Sequence, residues 1–326
     1  MSRPESRPDL LMPSRMTKLV NDALDERFVV HRLYEFADRE AELAAVAPQI
    51  RAIACGGGVD AALMDQLPKL EIIAHFGVGY DSVDVRHAAA KGIVVTNTPD
   101  VLTEEVADTA LGLLLMTVRE LGAAERYLRE CKWLSGAYPL TATLRDRRVG
   151  IVGLGRIGKA IARRLEAFGV PVAYHNRRQQ DDVALPYYAD LIAMAREVDT
   201  LISVLPGGAS TEKLIGRAVF DALGPRGVVV NVGRGSVVDQ EALIEALRER
   251  RIHAAGLDVF EKEPQVPAEL IALDNAVLLP HVGSASVHTR DAMSQRVVDN
   301  LVAWLERRPP VSPVVETPFG GWRGAS

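Results

Sequence analysis

Residues 147–169 read RRVGIVGLGRIGKAIARRLEAFG, and this stretch decides the fold. An apolar run leads into a glycine-rich turn, and a segment with apolar residues at helical spacing follows. Gly153, Gly155 and Gly158 give the turn the spacing GxGxxG. A strand, such a turn and a helix form the start of a dinucleotide-binding βαβ unit. The stretch therefore predicts a doubly wound α/β domain that binds a dinucleotide.

Each glycine of the turn has its own physical role. Gly153 permits the tight turn, Gly155 lets the backbone approach a pyrophosphate, and Gly158 allows the helix to pack closely on the strand. The start of the helix offers free N–H groups and positive potential to phosphate. A glycine turn without a ligand is the alternative. The predicted cofactor-binding residues of the turn are Gly153, Leu154, Gly155, Arg156, Ile157 and Gly158.

The next apolar run ends in HNRR, residues 175–178, where an NAD-binding unit usually places a carboxylate on the ribose hydroxyls. This chain has Asn176, Arg177 and Arg178 instead. An asparagine does not repel a 2′-phosphate, and two arginines attract one. The replacement predicts a preference for NADP(H) over NAD(H). A solvated basic loop in an enzyme that also uses NAD(H) is the alternative.

Short apolar runs alternate with helical patterns along most of the chain, which predicts an α/β protein with mainly parallel sheets. Two such sets are separated by a helical region from about 103 to 133. The final helical pattern stops at Pro309 and Pro310, which cannot continue it. We expect the following segment, VSPVVETPFGGWRGAS, to be a tail.

Composition excludes several classes of protein. The 326 residues suffice for two domains, and a net charge of −5 gives no reason to expect nucleic acid as a partner. Two cysteines suggest no disulfide framework and fit the reducing cytoplasm. No apolar run is long enough to span a membrane, and the start, MSRPESRPD, resembles a frayed end rather than a secretory signal. No pattern of metal ligands stands out, so we expect no metal site.

Polar residues follow three further apolar runs. Arg234 lies in NVGRGSVVD, Asp258 and Glu263 in GLDVFEKEP, and His281 in LPHVGSAS. Ligands of open α/β sheets bind outside the carboxyl ends of the strands. At such ends an arginine can bind a carboxylate, a histidine can move a proton, and a carboxylate can hold the imidazole.

The order GLGRIG, NVGRGSVVD, GLDVFEKEP, LPHVGSAS resembles the D-isomer-specific 2-hydroxyacid dehydrogenases. The resemblance covers about residues 45–308. It implies a catalytic set in which Arg234 binds the substrate, Glu263 holds the imidazole, and His281 is the acid/base. It also implies cofactor contacts from Val232, Gly233 and Asp258.

HFGVGYDSVD, residues 75–84, is similar to the substrate loop of this family. The resemblance implies that the backbone amides of Val78 and Gly79, together with Arg234 and His281, bind the substrate. A plain glycine turn is the alternative.

The family fold consists of two doubly wound parallel-sheet domains, a Rossmann cofactor domain inserted into a flavodoxin-like substrate domain. The resemblance implies a substrate domain of residues 1–104 and 286–326 and a cofactor domain of residues 105–285. It implies a homodimer whose arm is the helical region before GLGRIG. Trp133 and Tyr138 either fill that interface or reach the partner's pocket.

Within the family, the chain most resembles NADPH-dependent glyoxylate and hydroxypyruvate reductases. We expect NADPH-dependent reduction of a small 2-oxo acid, by hydride transfer to C2 and proton transfer from His281. A reductase for a bulkier 2-oxo acid is the main alternative. A co-repressor that senses NAD(H) is another, although the chain retains the complete catalytic set.

Overall fold

The computed structural model describes residues 7–145 and 147–321, which form two compact units. One unit contains the residues up to Leu102 and those from Ser286 onward, and the other is Thr103–Ala285. The predicted frayed start lies largely outside the described residues. The functional assignment of the two units remains a prediction.

The first unit is built on a five-stranded sheet in which all neighbouring strands are parallel. Its strand order is β2-β1-β3-β4-β5, the order typical of flavodoxin-like domains. The strands are β1 (Asp9–Met12), β2 (Val29–Arg32), β3 (Ile50–Cys55), β4 (Ile72–His75) and β5 (Val94–Thr96). The helices between them are α1 (Lys18–Arg27), α2 (Arg39–Val46), α3 (Ala61–Gln66) and α4 (Val85–Lys91).

Both faces of this sheet are buried, because alternate residues of each strand enter two different cores. Along β1, Leu11 packs in one core, whereas Leu10 and Met12 pack in the other. A strand covered on both faces needs apolar residues throughout, which explains the continuous runs in the sequence.

The second unit contains a seven-stranded parallel sheet in the order β12-β11-β10-β9-β6-β7-β8. The strand order reverses beside β6, the strand that leads into the glycine turn. The strands are β6 (Val149–Val152), β7 (Val172–His175), β8 (Tyr187–Tyr188), β9 (Thr200–Ser203), β10 (Val228–Asn231), β11 (Ala254–Leu257) and β12 (Ala276–Leu278). The helices are α5 (Thr103–Arg119), α6 (Leu121–Arg129), α7 (Arg156–Ala167), α8 (Leu191–Glu197), α9 (Arg217–Leu223), α10 (Gln240–Arg248) and α11 (Ala268–Ile271).

The helical region predicted at about 103–133 is made of separate helices. Its first helix ends at Arg119, and Glu120 adopts a left-handed backbone with φ 51°. Such a residue cannot continue a right-handed helix, so α6 begins as a separate element. None of the helices in the described part of the chain is long and apolar enough to cross a membrane.

The chain returns to the first unit through α12 (Val287–Leu305). The expected tail is wrong for its described part, residues 311–321. The Val314 amide donates to the Val95 carbonyl at 2.9 Å, and the Val95 amide donates to Thr317 Oγ1 at 2.9 Å. This segment therefore packs along β5 and satisfies its open edge. The predicted fold class, two doubly wound parallel-sheet domains, is confirmed.

Candidate active site

The strand register gathers the predicted site residues of the second unit at one edge of its sheet. Val152 pairs with His175 and Ser203, and Asn231 pairs with Ser203 and Leu257. These strands therefore end level with one another. Five predicted features follow strand ends on this edge: the glycine turn, HNRR, NVGRGS, Asp258 and the loop of His281. Open α/β sheets bind their ligands at such an edge.

His281 and Glu263 form a close pair. His281 Nδ1 donates to Glu263 Oε2 at 2.6 Å, and the Phe260 amide donates to Glu263 Oε1 at 3.0 Å. The carboxylate is thus held from both sides and fixes the orientation of the ring. His281 Nε2 has no hydrogen-bond partner among the described residues, and the side chain is 47% exposed. This nitrogen is available to a ligand.

The backbone around His281 is strained and is held by Asp258. His281 has φ 53°, a conformation that few residues with a side chain adopt. The Asp258 carbonyl accepts the His281 amide at 2.9 Å. Asp258 Oδ1 accepts the Val282 amide at 2.7 Å, and Oδ2 accepts the Gly283 amide at 2.8 Å. Three hydrogen bonds to one residue therefore fix the loop that presents the imidazole.

Asp258 is almost completely buried, with 1% exposure. Burial raises the pKa of its carboxyl group, and the two backbone amides act in the opposite direction. A Cβ at Gly283 would lie 2.9 Å from Asp258 Oδ2, so only glycine fits there without displacement. These contacts indicate that Asp258 supports the His281 loop. Its contact with a cofactor remains a prediction.

Arg234 follows β10 in a loop organised by Asn231. Asn231 Nδ2 donates to the Arg234 carbonyl at 2.9 Å, and the Gly233 amide donates to Asn231 Oδ1 at 3.1 Å. A Cβ at Gly233 would lie 2.5 Å from the Leu205 carbonyl oxygen, so this loop packs directly on the chain after β9. Sequence reasoning missed Asn231, although a polar residue that ends the run VVVN was an available signal.

The three glycines of the turn differ in what surrounds them. Gly153 has φ 103°, and a Cβ at Gly158 would lie 2.3 Å from the Gly153 carbonyl oxygen. The fold itself requires both glycines. A Cβ at Gly155 would meet no atom within 4 Å, and Gly155 has the extended backbone that any residue can adopt. The protein therefore leaves open space at the start of α7.

HNRR is tied to this turn through Asn176. The Leu154 amide donates to Asn176 Oδ1 at 2.7 Å, and the Tyr187 hydroxyl donates to the Asn176 carbonyl at 3.2 Å. The observed role of Asn176 is thus to join two loops. Arg177 and Arg178 are exposed, and neither forms an ion pair with any residue that the structure describes. Both guanidinium groups are available to an anion.

Val78 and Gly79 lie in the first unit, in the loop that follows β4. Both are half-buried. The two predicted substrate amides thus lie in the first unit. The second unit contains the predicted cofactor residues together with Arg234, Glu263 and His281. Within the described residues, no three His, Cys, Asp or Glu side chains come together as a metal site.

The segment after α6 carries an exposed apolar surface. Leu134 is 90% exposed and Trp133 is 65% exposed. Tyr138 instead packs edge-on against Tyr127, with ring centroids 5.3 Å apart, and its hydroxyl donates to Glu120 at 2.9 Å. The two aromatic residues singled out from the sequence therefore differ, since Tyr138 has partners within its own chain.

The chain is similar to known proteins, both in its family model and in full-length relatives. The model of the D-isomer-specific 2-hydroxyacid dehydrogenase NAD-binding domain matches residues 111–283. A glyoxylate/hydroxypyruvate reductase A of Arabidopsis thaliana is 45% identical over 308 residues, which are 94% of this chain and 98% of the relative. A hydroxyphenylpyruvate reductase of Plectranthus scutellarioides has the same identity and coverage.

A solved structure is similar over nearly the whole chain. It is an NADPH-dependent glyoxylate/hydroxypyruvate reductase from Sinorhizobium meliloti in complex with NADP and malonate. Its TM-score is 0.91 at 53% identity, and the match covers 96% of this chain and 98% of the other.

Proposed function

The chain belongs to the D-isomer-specific 2-hydroxyacid dehydrogenases, which are oxidoreductases, and from that premise we propose that it reduces glyoxylate or hydroxypyruvate with NADPH. Hydroxypyruvate gives the D-2-hydroxy acid, and glyoxylate gives glycolate, which has no stereocentre. The observation that carries this proposal is the His281–Glu263 pair, in which one ring nitrogen is held and the other is available.

In the proposed reaction His281 is the general acid. Its Nε2–H donates the proton that the carbonyl oxygen of the 2-oxo acid gains as C2 is reduced. Glu263 accepts the Nδ1–H bond, keeps the ring in one orientation, and stabilises the imidazolium before the proton is transferred. Asp258 acts indirectly, because it fixes the backbone that carries the ring.

Arg234 and the substrate loop, residues 75–84, bind the acid in this proposal. The guanidinium of Arg234 can form two parallel hydrogen bonds to a carboxylate, which neutralises its charge and fixes its orientation. We also assign the amides of Val78 and Gly79 to substrate binding, where they offer neutral donors to an acid. Positioned donors of this kind hold the acid in the orientation that the reaction needs, so less entropy is lost on reaching the transition state.

The glycine turn fits a dinucleotide. The open space beside Gly155 is what a pyrophosphate needs, and the 12-residue helix α7 has neither a side-chain cap nor an acidic residue in its first turn. When bound, the nicotinamide cofactor supplies the hydride that C2 receives. We assign its diphosphate to the backbone of Gly153–Gly158.

The preference for NADPH is proposed from Arg177 and Arg178. Both are exposed beside the end of β7, and Asn176 occupies the position at which a carboxylate would repel a 2′-phosphate. The similar reductase from Sinorhizobium meliloti was solved with NADP, which supports the same assignment.

A second candidate function is reduction of a bulkier 2-oxo acid. The hydroxyphenylpyruvate reductase matches this chain at the same 45% identity as the Arabidopsis relative. An arginine clamp and a histidine acid recognise the 2-oxo acid group itself, so they suit both acids equally. The side-chain pocket decides between them.

We also propose a homodimer through the arm, residues 121–140. Trp133 and Leu134 expose most of their apolar surface there, and burial against a second copy removes that surface from water. Light scattering on Leu134→Glu tests this: we expect a monomer, whereas an unchanged mass would reject the arm as the interface.

Initial rates test the enzymatic proposal. We would measure glyoxylate, hydroxypyruvate and hydroxyphenylpyruvate, each with NADPH and NADH. We expect turnover of a small acid with kcat/KM at least about tenfold higher for NADPH, equivalent to about 1.4 kcal/mol. Equal use of both cofactors would reject the role of the arginines. Turnover of hydroxyphenylpyruvate alone would favour the second candidate, and no turnover of any acid would reject the proposed reaction.

A further inference from the structure

All three carbonyl groups of Gly77, Val78 and Gly79 accept hydrogen bonds from within the first unit. The Thr98 amide donates to the Gly77 carbonyl at 2.9 Å, and Asn97 Nδ2 donates to the Val78 carbonyl at 2.8 Å. The third contact joins His75 Nε2 and the Gly79 carbonyl at 3.1 Å.

These contacts decide which way the amides of the loop face. In a planar trans peptide the N–H points opposite to the preceding C=O. A carbonyl held at Gly77 therefore turns the Val78 N–H away from Thr98. In the same way, the carbonyl of Val78 sets the direction of the Gly79 N–H, and the carbonyl of Gly79 sets that of Tyr80.

We propose that His75 is a positioning residue for substrate: by donating from Nε2 to the Gly79 carbonyl, it fixes the peptide between Gly79 and Tyr80 and so holds the end of the loop whose Val78 and Gly79 amides are presented to a carboxylate. This inference rests on the proposed binding of a 2-oxo acid by that loop. It assigns His75 a role that its position in an otherwise apolar strand leaves unexplained.

The surroundings of His75 fix its tautomer. The ring is buried, with 4% exposure, and Cys55 stands directly opposite on the neighbouring strand β3. Cys55 Sγ lies 3.7 Å from His75 Nδ1. Burial raises the pKa of the Cys55 thiol to about 12, so the thiol keeps its proton and can donate it to Nδ1. On the other side of the ring, the Gly79 carbonyl can only accept a hydrogen bond, so the proton must be on Nε2.

The loop backbone packs so closely on the His75 ring that the loop has little freedom to move independently of the ring. A Cβ at Gly77 would lie 3.0 Å from His75 Nε2 and 3.3 Å from the Gly79 carbonyl oxygen. The loop backbone thus closes directly over the imidazole. A side chain of similar size that lacks the donor would leave the Gly79 carbonyl without this bond.

Two variants separate the hydrogen bond from simple packing. His75→Leu keeps an apolar volume and removes the donor, whereas His75→Gln keeps a terminal N–H. We expect His75→Leu to raise KM for the 2-oxo acid about tenfold, the size of one hydrogen bond's contribution. We expect kcat and the KM for the cofactor to change far less. His75→Gln should restore most of the lost affinity.

Malonate gives a readout that does not need turnover, since it is a carboxylate without a reactive carbonyl. Calorimetric titration of the full chain should show about tenfold weaker malonate binding in His75→Leu than in wild type. If malonate binding and KM are unchanged, the positioning role is wrong even when the enzyme works. If His75→Gln is as impaired as His75→Leu, packing and not the hydrogen bond is responsible, and the inference is again wrong.

The wild-type protein provides a test that no folding failure can obscure. Nitrogen NMR of histidine-labelled protein should show one buried histidine with its proton on Nε2 and none on Nδ1. A ring that carries its proton on Nδ1 and none on Nε2 would overturn the inference. Weakened malonate binding in His75→Leu, combined with no turnover of any 2-oxo acid, would support the loop assignment while rejecting the proposed reaction.

Discussion

Alanine substitutions at Gly155 and Gly158 should separate a glycine that serves a ligand from one that serves the fold. Both belong to the same turn, only three residues apart. A Cβ at Gly155 meets no atom within 4 Å, whereas a Cβ at Gly158 would lie 2.3 Å from a backbone carbonyl oxygen. The first space is available to a pyrophosphate, and the second is already filled by the protein.

The expected stability changes follow from that difference. Forcing a methyl group into a packed interior costs up to about 3 kcal/mol. Alanine within a helix recovers about 1 kcal/mol relative to glycine, which leaves about 2 kcal/mol for Gly158→Ala. For a domain of this size each kcal/mol lowers Tm by about 2–4 °C, so the fall should be about 4–8 °C. Gly155→Ala should cost less than about 1 kcal/mol, the difference between glycine and alanine at a helix N-cap.

Thermal unfolding and fluorescence titration with NADPH measure the two effects. We expect Gly155→Ala to remain nearly as stable as wild type and to bind NADPH at least about tenfold more weakly, since the methyl group displaces the pyrophosphate from the amides. Normal NADPH binding by Gly155→Ala would refute the assignment of this turn to the cofactor. Unchanged stability of Gly158→Ala would refute the packing argument.

Three further predictions concern single groups of the second unit. Glu263→Gln should lower kcat about 100-fold, because the imidazole loses the partner that stabilises its charge; steady-state rates measure it. Arg177→Ser with Arg178→Ser should raise KM for NADPH about tenfold or more and leave KM for NADH nearly unchanged. Burial and nearby Arg147 lower the pKa of His253, so the folded state favours the neutral ring. The contribution of this ring to stability is therefore present above its unfolded pKa of about 6.5 and is lost as the pH falls below that value. The fall in Tm between pH 7.5 and 5.5 should therefore be smaller in His253→Gln than in wild type.

Exposed residues of the same type supply matched controls. Glu261→Gln changes an exposed carboxylate two residues from Glu263 and should leave kcat unaltered. Arg196→Ser removes an exposed arginine of α8, so a similar rise in KM for NADPH would mean that overall charge, not HNRR, is responsible. His288→Gln should retain the pH dependence of wild type, because His288 is exposed on α12.

The sequence predicted the fold because its signals are local. Continuous apolar strands, the GxGxxG turn and the alternation with helices each depend on a short stretch of chain. The break at Glu120 was missed, because a residue that leaves the helix through a left-handed backbone carries no distinctive side chain. The packing of residues 311–321 was missed for another reason: proline and glycine indicate irregular structure, and irregular structure can still pair with a strand.

The site was predicted less completely, since a sequence names a polar residue but not its partner. The assignment of Asp258 to the cofactor stays a prediction, but the sequence did not indicate that both of its carboxylate oxygens accept amides of the His281 loop. Asn176 was predicted only to leave room for a 2′-phosphate, and the sequence did not indicate that its side-chain oxygen accepts the Leu154 amide. These partners are 22 to 25 residues away in sequence, and only the register of the sheet brings them together.

His75 and His281 make the same point most clearly. His75 ends β4 and begins the predicted substrate loop, whereas His281 follows β12 and is itself a predicted substrate-binding residue. Parallel strands end in loops whose backbone groups must find partners, so a polar side chain there either satisfies the loop or reacts with a ligand. Burial separates the two cases: His75 is 4% exposed and donates to a carbonyl, whereas the His281 side chain is 47% exposed with Nε2 available. The buried histidine holds the backbone of its loop, whereas the exposed one has a ring nitrogen that can exchange a proton with a ligand, so burial decides which role a histidine can have.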